Sequence, residues 1–149
     1  MLSVIITGVG EAAELERLLA ELVPAAVDGL VRDVLLAAEP GADSAALCED
    51  AGVVLAGSLA AAARLARSDR VLMLPPDLRL APGWREALAM LVKRTPRADA
   101  VVFGRAEGLL GRLGGRAFGV LLAREQAGGD EADLRRLRRT LRPGAARIG

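Results

Sequence analysis

The sequence predicts an α/β fold, in which a single domain has a mostly parallel, open sheet with helices on both faces. Short apolar runs alternate with segments whose apolar residues recur at helical spacing, which is the pattern of consecutive strand–helix units. The length of 149 residues fits one domain of the usual size, about 100–200 residues. Five apolar runs predict strands, over residues 2–7, 33–38, 53–55, 70–74 and 100–103.

The first units are delimited by proline, glycine and capping residues. The run 2–7 is rich in β-branched residues, and residues 11–22 then place leucines on one face behind an acidic first turn. Pro24 is expected to end that helix, because proline lacks the backbone donor that a helix needs. Asp43 is expected to cap a second helix over residues 44–51.

The rest of the chain continues the alternation and then becomes less regular. The Ala-rich residues 58–68 predict a third helix, and residues 83–93, which follow a proline, predict a fourth. The last third predicts one more strand, a basic helix and a frayed end, over residues 117–123, 130–141 and 143–149. No apolar run approaches the ~20 residues of a membrane span.

The composition excludes several classes of function. The chain has no histidine and one cysteine, Cys48, so it cannot build a histidine or cysteine metal cluster, an internal disulfide or a Cys–His nucleophile. Aromatic residues make up 2%, which argues against a base-stacking platform, and we expect no nucleic-acid partner. The chain starts directly with an apolar strand and shows no signal-peptide pattern, which predicts a cytoplasmic location.

Parallel strands place the loops at their carboxyl ends along one edge of the sheet, where ligands bind in such folds. The first of these loops contains Thr7, Gly8 and Gly10, and its glycines could let a nucleotide approach the backbone while the next helix holds a phosphate. We therefore take these three residues as nucleotide-binding candidates. An ordinary tight turn between a strand and a helix explains the same glycines, and both interpretations stay open.

Two later loops carry charged candidates. Glu39 and Asp43 follow the second strand and could bind the hydroxyls of a ribose or the edge of a base, although a solvated turn residue and a helix cap are equally simple interpretations. Asp77 follows the fourth strand, where a divalent metal could bridge a diphosphate, and Arg79 could neutralise phosphate charge. A turn in which Asp77 bonds its own backbone is the alternative.

Asp130 and Glu131 open the last predicted helix and are the catalytic candidates, because a carboxylate there could act as a general base near a sugar hydroxyl. Acidic residues in the first turn also stabilise a helix through its dipole, with no catalytic role. Five arginines follow in this helix and just after it. They form either a solvated face or a surface with weak attraction for anionic lipid or a nucleotide, so peripheral membrane association stays open.

Together these landmarks resemble the family 2 glycosyltransferases, which have the GT-A nucleotide-diphospho-sugar fold. Leu2-Ser3-Val4-Ile5-Ile6 followed by residues 11–22 is similar to the family's opening strand and helix. The segment 68–74, then Asp77, then Leu80-Ala81-Pro82-Gly83-Trp84, is similar to the family's metal loop and its Pro-Gly-Trp segment. The resemblance covers residues 1–103. Beyond them it is faint, and Asp130-Glu131 matches the family's catalytic Glu-Asp pair in reversed order.

The resemblance implies a nucleotide-binding-like core over residues 1–104 and a shortened, basic C-terminal part over residues 105–149. In the family, an Asp after the second strand holds the nucleoside, an Asp-x-Asp pair holds the metal and diphosphate, and the Glu-Asp acid deprotonates the acceptor. Here Ala38 and Pro75 stand where the nucleoside Asp and the first metal Asp are expected. The expected cofactor is a divalent metal, Mn²⁺ or Mg²⁺, if the protein is active, and none otherwise.

Three functions are consistent with these residues. The first is a glycosyltransferase that uses a nucleotide-diphospho-sugar, with activity weakened or lost in its degenerate loops. The second is a non-catalytic binding or assembly protein on the same fold. The third is a small nucleotidyltransferase-like protein. It is the least supported, because no glycine-rich, lysine-bearing phosphate loop follows the first strand.

A homodimer and a location at the inner face of the membrane are further expectations.

Overall fold

The computed structural model describes residues 1–128, 134–141 and 144–149, which form an eight-stranded sheet with helices on both faces. The strands are β1 (Leu2–Ile6), β2 (Val31–Leu36), β3 (Val54–Leu55), β4 (Arg70–Leu74), β5 (Leu78–Leu80), β6 (Ala100–Ala106), β7 (Arg116–Ala123) and β8 (Ala146–Ile148). The helices are α1 (Ala12–Val27), α2 (Ala42–Asp50), α3 (Leu59–Leu65), α4 (Trp84–Arg94), α5 (Gly108–Arg112), α6 (Arg124–Ala127) and α7 (Leu134–Thr140).

The sheet runs in the order β3-β2-β1-β4-β7-β6-β5, and β8 pairs with β6. β1 lies parallel to both β2 and β4, and Ile6 aligns with Leu36 on one side and with Leu74 on the other. The loops after these strands therefore leave the sheet along one edge, which we call the carboxyl edge. Within the described residues four strand pairings are parallel and three are antiparallel, which confirms the predicted α/β class and its mostly parallel sheet.

Two apolar layers cover the two faces of the sheet, because side chains along each strand point alternately up and down. Ile6 and Leu72 belong to the layer built with α1, α2 and α4, in which Trp84 is 7% exposed. Ile5 and Met73 belong to the layer built with α3, α6 and α7. The predicted placement of helices on both faces is confirmed, and Trp84 packs in the core.

The prediction that Pro24 ends the first helix is wrong, because α1 continues through it to Val27. Leu22 and Ala25, on either side of Pro24, are 2% and 0% exposed. Their burial against the sheet outweighs the one hydrogen bond that proline cannot donate within the helix.

Two boundaries around the second helix also differ from the sequence prediction. Gly41, not Asp43, is the N-cap of α2, so Asp43 lies inside the first turn and the capping interpretation of it is wrong. β2 begins at Val31 and ends at Leu36, two residues earlier than predicted. Ser58 caps α3, since its hydroxyl accepts a hydrogen bond from the backbone N–H of Ala61 at 3.2 Å.

The C-terminal part is more ordered than the sequence suggested. The prediction of a strand over residues 117–123 is confirmed by β7, but the frayed end is replaced by β8, whose Ile148 is 5% exposed. β5 was not predicted at all, because residues 78–80 follow two prolines and looked like a turn. In the described ranges no helix is long and apolar enough to cross a membrane.

The docking of β8 predicts a measurable cost for truncating its buried side chain. Ile148→Ala should lower the free energy of unfolding by about 2–4 kcal/mol, since it removes buried methyl groups and leaves a cavity. Val27→Ala is the control, because Val27 is 81% exposed and its truncation should cost less than about 0.5 kcal/mol. Urea denaturation of both variants measures the difference. Equal costs would mean that the end of the chain is frayed after all.

Candidate functional site

The glycine loop after β1 packs against the loop after β4. The backbone N–H of Thr7 donates to the carbonyl oxygen of Leu74 at 2.9 Å, which holds the two loops together. A Cβ placed on Gly10 would lie 3.2 Å from Cγ of Pro76 and 2.7 Å from a carboxylate oxygen of Glu14, and Gly10 has a positive φ of 59°. At Gly8 a Cβ would lie 3.7 Å from the ring of Pro76. The space left by the missing side chains is therefore bordered by a proline ring.

The two acidic candidates of the next loop lie on the other side of β1. Glu39 is exposed, and its carboxylate lies over the backbone of Gly57, where an added Cβ would come within 2.7 Å of it. Asp43 is exposed in the first turn of α2. Since β2 and β4 flank β1 on opposite sides, Glu39 and Asp77 border the carboxyl edge from opposite sides of the glycine loop.

Asp77 lies in a tight turn that leads into β5. The carbonyl oxygen of Pro75 accepts a hydrogen bond from the N–H of Leu78 at 3.3 Å, and the carbonyl of Asp77 accepts one from the N–H of Glu107 at 2.8 Å. Among the residues that the structure describes, no group of three aspartate, glutamate, cysteine or histidine side chains could hold a metal ion. Mg²⁺ and Mn²⁺ prefer several oxygen ligands, so the described donors do not fit the divalent metal that the family resemblance implies.

Arg79 is paired with two glutamates. Its Nε lies 2.9 Å from Glu21 and its Nη1 lies 2.9 Å from Glu107, which also binds Arg17 at 2.6 Å. The hydrogen bond to Glu107 raises the pKa of Arg79 above its usual value, and burial opposes this shift. Burial pushes the pKa of Glu107 upwards, but the hydrogen bonds from Arg79 and Arg17 outweigh it and leave that pKa below its usual value. Arg79 thus carries a charge that two carboxylates already neutralise.

A cleft of about 840 Å³ lies beside this network, between the start of α1 and the ends of β5, β6 and β7. Of the predicted site residues that the structure describes, Arg79 lines it. Its charged lining residues are Glu11, Glu14, Arg17, Arg79, Arg105, Glu107, Arg112 and Arg116. Sequence reasoning missed all of these but Arg79, because the pairing of β5, β6 and β7 brings them together and no local motif marks it.

The catalytic candidates Asp130 and Glu131 lie outside the described residues. Part of the basic run that follows them is described in α7. The guanidinium of Arg138 lies 5.2 Å from the ring centres of both Phe103 and Phe118, which are neighbours across β6 and β7. This exposed arginine therefore packs on two aromatic rings.

The fold is shared with solved glycosyltransferase structures. Mannosyl-3-phosphoglycerate synthase from Rubrobacter xylanophilus matches 69% of this chain, with 16% identity and a TM-score of 0.54. Glucosyl-3-phosphoglycerate synthase from Mycobacterium tuberculosis, solved with Mn²⁺, UDP and glucosyl-3-phosphoglycerate, matches 85% of it, with 17% identity and a TM-score of 0.52. This chain spans 39% and 57% of those two proteins. No protein-family profile and no curated protein matches it. The likeness shows a GT-A-like fold over the matched part of this chain.

The two ion pairs of Glu107 predict a pH-dependent contribution to stability. Glu107→Gln should lower the free energy of unfolding at pH 7 by about 1–2 kcal/mol, since it removes charged hydrogen bonds that are partly screened by solvent. A carboxyl group whose pKa is lowered on folding stabilises the protein above its unfolded pKa, about 4.3, and loses that contribution as pH falls through the folded value. The difference between variant and parent should therefore shrink below about pH 4.

Urea denaturation at pH 7 and at pH 3.5 measures this difference. Glu16→Gln, at an exposed position in α1, is the control and should change the free energy of unfolding by less than about 0.5 kcal/mol at either pH. A cost for Glu107→Gln that stays constant across this range would contradict the assignment of its stabilising effect to the ion pairs.

Proposed function

We propose that this chain is a glycosyltransferase-like protein in which metal-dependent sugar transfer is weak or lost, and which acts as a binding protein through its carboxyl edge. The observation that carries the proposal is the loop Pro75-Pro76-Asp77. It offers one carboxylate where metal chemistry needs several oxygen donors, and it packs a proline ring against the glycine loop.

The charge balance of sugar transfer supports this conclusion. A nucleoside diphosphate gains negative charge as it leaves the sugar, and a metal ion or fixed cations must stabilise that charge. Pro75 has no donor atom in its side chain. Arg79, the cation that follows Asp77 most closely in sequence, is held by Glu21 and Glu107, so most of its charge is already compensated.

The loop after β2, which would bind the nucleoside, also offers few contacts for it. Ala38 supplies no polar side chain, and Glu39 lies over Gly57. A nucleobase edge that is buried without a partner costs about 1–3 kcal/mol. The glycine loop still exposes backbone at the start of α1, so a nucleoside diphosphate or nucleotide-diphospho-sugar remains the ligand class that we propose, with low affinity.

The alternative is an active transferase. In it, Asp77 binds a metal, Glu39 or Asp43 binds the nucleoside, and Asp130 or Glu131 acts as the base. Both neighbours named above are sugar–phosphoglycerate synthases, which supports a nucleotide-sugar ligand. Because this chain spans at most 57% of either protein, their donor and acceptor substrates are not carried over to it.

Calorimetric titration with UDP, GDP and their sugar conjugates tests the proposal, with and without Mn²⁺. We expect dissociation constants no tighter than about 1 mM, which corresponds to about −4 kcal/mol, and no change on Asp77→Ala. Micromolar binding that depends on Mn²⁺ and is abolished by Asp77→Ala would overturn the proposal and support a working metal site.

Restoring the missing carboxylate provides the converse test. Pro75→Asp recreates the Asp-x-Asp spacing and should strengthen UDP binding at least tenfold in the presence of Mn²⁺, because two carboxylates can then share the ion. Pro96→Asp is the matched control, since Pro96 precedes β6 at the opposite edge of the sheet and should leave the affinity unchanged. If Pro75→Asp gains no Mn²⁺ dependence, the missing carboxylate is not what weakens this site.

A further inference from the structure

We propose that the connection between β6 and β7, which contains α5, docks this protein on a bilayer that carries anionic phospholipids. Two exposed leucines enter the boundary between headgroups and acyl chains, and the arginines around them face the lipid phosphates. This inference goes beyond nucleotide binding at the carboxyl edge, and its test uses no nucleotide.

The first observation is a pair of exposed leucines at this connection. Leu109 and Leu113 are 71% and 76% exposed, on and just after α5. The backbone N–H of Leu113 donates to the carbonyl oxygen of Leu109 at 3.1 Å, which closes one helical turn. Residues four apart on a helix lie on the same side of it, so the two side chains form one apolar tip. Burial of this tip in lipid removes its apolar surface from water.

The second observation is that three exposed arginines flank the apolar tip. Arg105 and Arg116 oppose each other in the last residue pair of β6 and β7 before α5, and Arg112 lies in α5 itself. None of the three has an ion pair with any residue in the ranges that the structure describes. Like charges that oppose each other across antiparallel strands are destabilising, so a nearby anionic surface stabilises this arrangement.

The third observation is that the basic surface continues along one face of the sheet. Phe103 and Phe118 are aligned two residues away from the opposed arginines, so their rings leave the sheet on the same face. The guanidinium of Arg138 lies 5.2 Å from the centres of both rings, and that of Arg147 lies 5.1 Å from the centre of Phe103. Both of these arginines are exposed. Cations from β6, β7, β8 and α7 therefore share this side of the molecule.

Acidic groups oppose this surface little, which favours an anionic partner. The one acidic residue between positions 103 and 118 is Glu107, and its carboxylate is held by Arg17 and Arg79. Each arginine near an anionic bilayer strengthens binding about fivefold. A bilayer fits this side better than a nucleic acid, because base stacking needs free aromatic faces and arginines cover both phenylalanine rings. The apolar tip also matches lipid alone.

The direction of the strands sets how the protein meets the bilayer. β6 runs in the same direction as β4, since both are antiparallel to β7, so α5 leaves the sheet at the carboxyl edge. A Cβ on Gly111 would collide with the carbonyl oxygen of Ala106, which shows that α5 packs closely on the end of β6. The apolar tip is therefore held at a fixed place, and docking through it turns the carboxyl edge towards the bilayer.

Cosedimentation with vesicles tests the proposal, with phosphatidylcholine alone and with an equal mixture of phosphatidylcholine and phosphatidylglycerol. We expect binding to the mixture only, and its loss in about 1 M salt, where the Debye length falls to about 3 Å. The double variants Leu109→Ser/Leu113→Ser and Arg105→Gln/Arg116→Gln should each lose at least tenfold in affinity for the mixed vesicles. Their melting temperatures should not fall below that of the parent, because all four replaced side chains are exposed.

Two matched double variants are the controls. Val23→Ser/Val27→Ser replaces side chains that are 56% and 81% exposed near the end of α1, and Arg94→Gln/Arg97→Gln removes two exposed charges before β6, both at the opposite edge of the sheet. Their affinities should stay within twofold of the parent. The proposal is overturned if the mixed vesicles do not bind, if phosphatidylcholine alone binds equally well, or if a control loses as much as its test variant. A loss in the arginine variant without one in the leucine variant would indicate a soluble polyanion, such as a nucleic acid, and would also overturn docking on lipid.

Discussion

The level register of β1 with both of its neighbours is the constraint on which the rest of the structure depends. Ile6 stands opposite Leu36 and Leu74, so three loops leave the sheet at one height. At the other end of β1 the buried Ser3 hydroxyl donates to Asp33 and accepts the N–H of Ser68. These bonds oppose a slip by one residue, which would turn every side chain of β1 to the opposite face of the sheet. Hydrogen bonds at the start of β1 thus fix the position of the carboxyl edge at its other end.

This arrangement explains how the scaffold can persist while its chemistry changes. The strands that fix the register are buried on both faces, and their residues contribute to stability whatever the loops do. The loops are constrained only in where they begin. Pro76 contacts the positions of Gly8 and Gly10 without disturbing either strand, so the residues that these loops carry can differ at little cost to the fold.

The sequence predicts the part of the fold that rests on local patterns. Short apolar runs located β1, β2, β4, β6 and β7, and helical spacing, composition and helix-boundary residues located the first four helices. The sequence prediction fails where contacts between residues distant along the chain decide the local structure. Ala25 keeps α1 helical beyond Pro24, and Ile148 is buried only because β6 offers an unpaired edge to β8. The glycine loop and Asp77 could be placed at one edge from strand order, but the ring of Pro76 between them could not, since proline gives no signal of what it packs against.

Glu107 links the turn at Asp77 to the charged cleft beside α1. Its N–H donates to the carbonyl of Asp77, and its carboxylate holds Arg79 and Arg17. Arg79 therefore cannot offer its full charge to a diphosphate at the carboxyl edge while it stays in this network. The same pairing leaves the charges of Arg105 and Arg116 uncompensated in the cleft. Glu107, whose side chain is 10% exposed, thus weakens the case for phosphate binding at the edge, because a carboxylate neutralises the cation that it contacts.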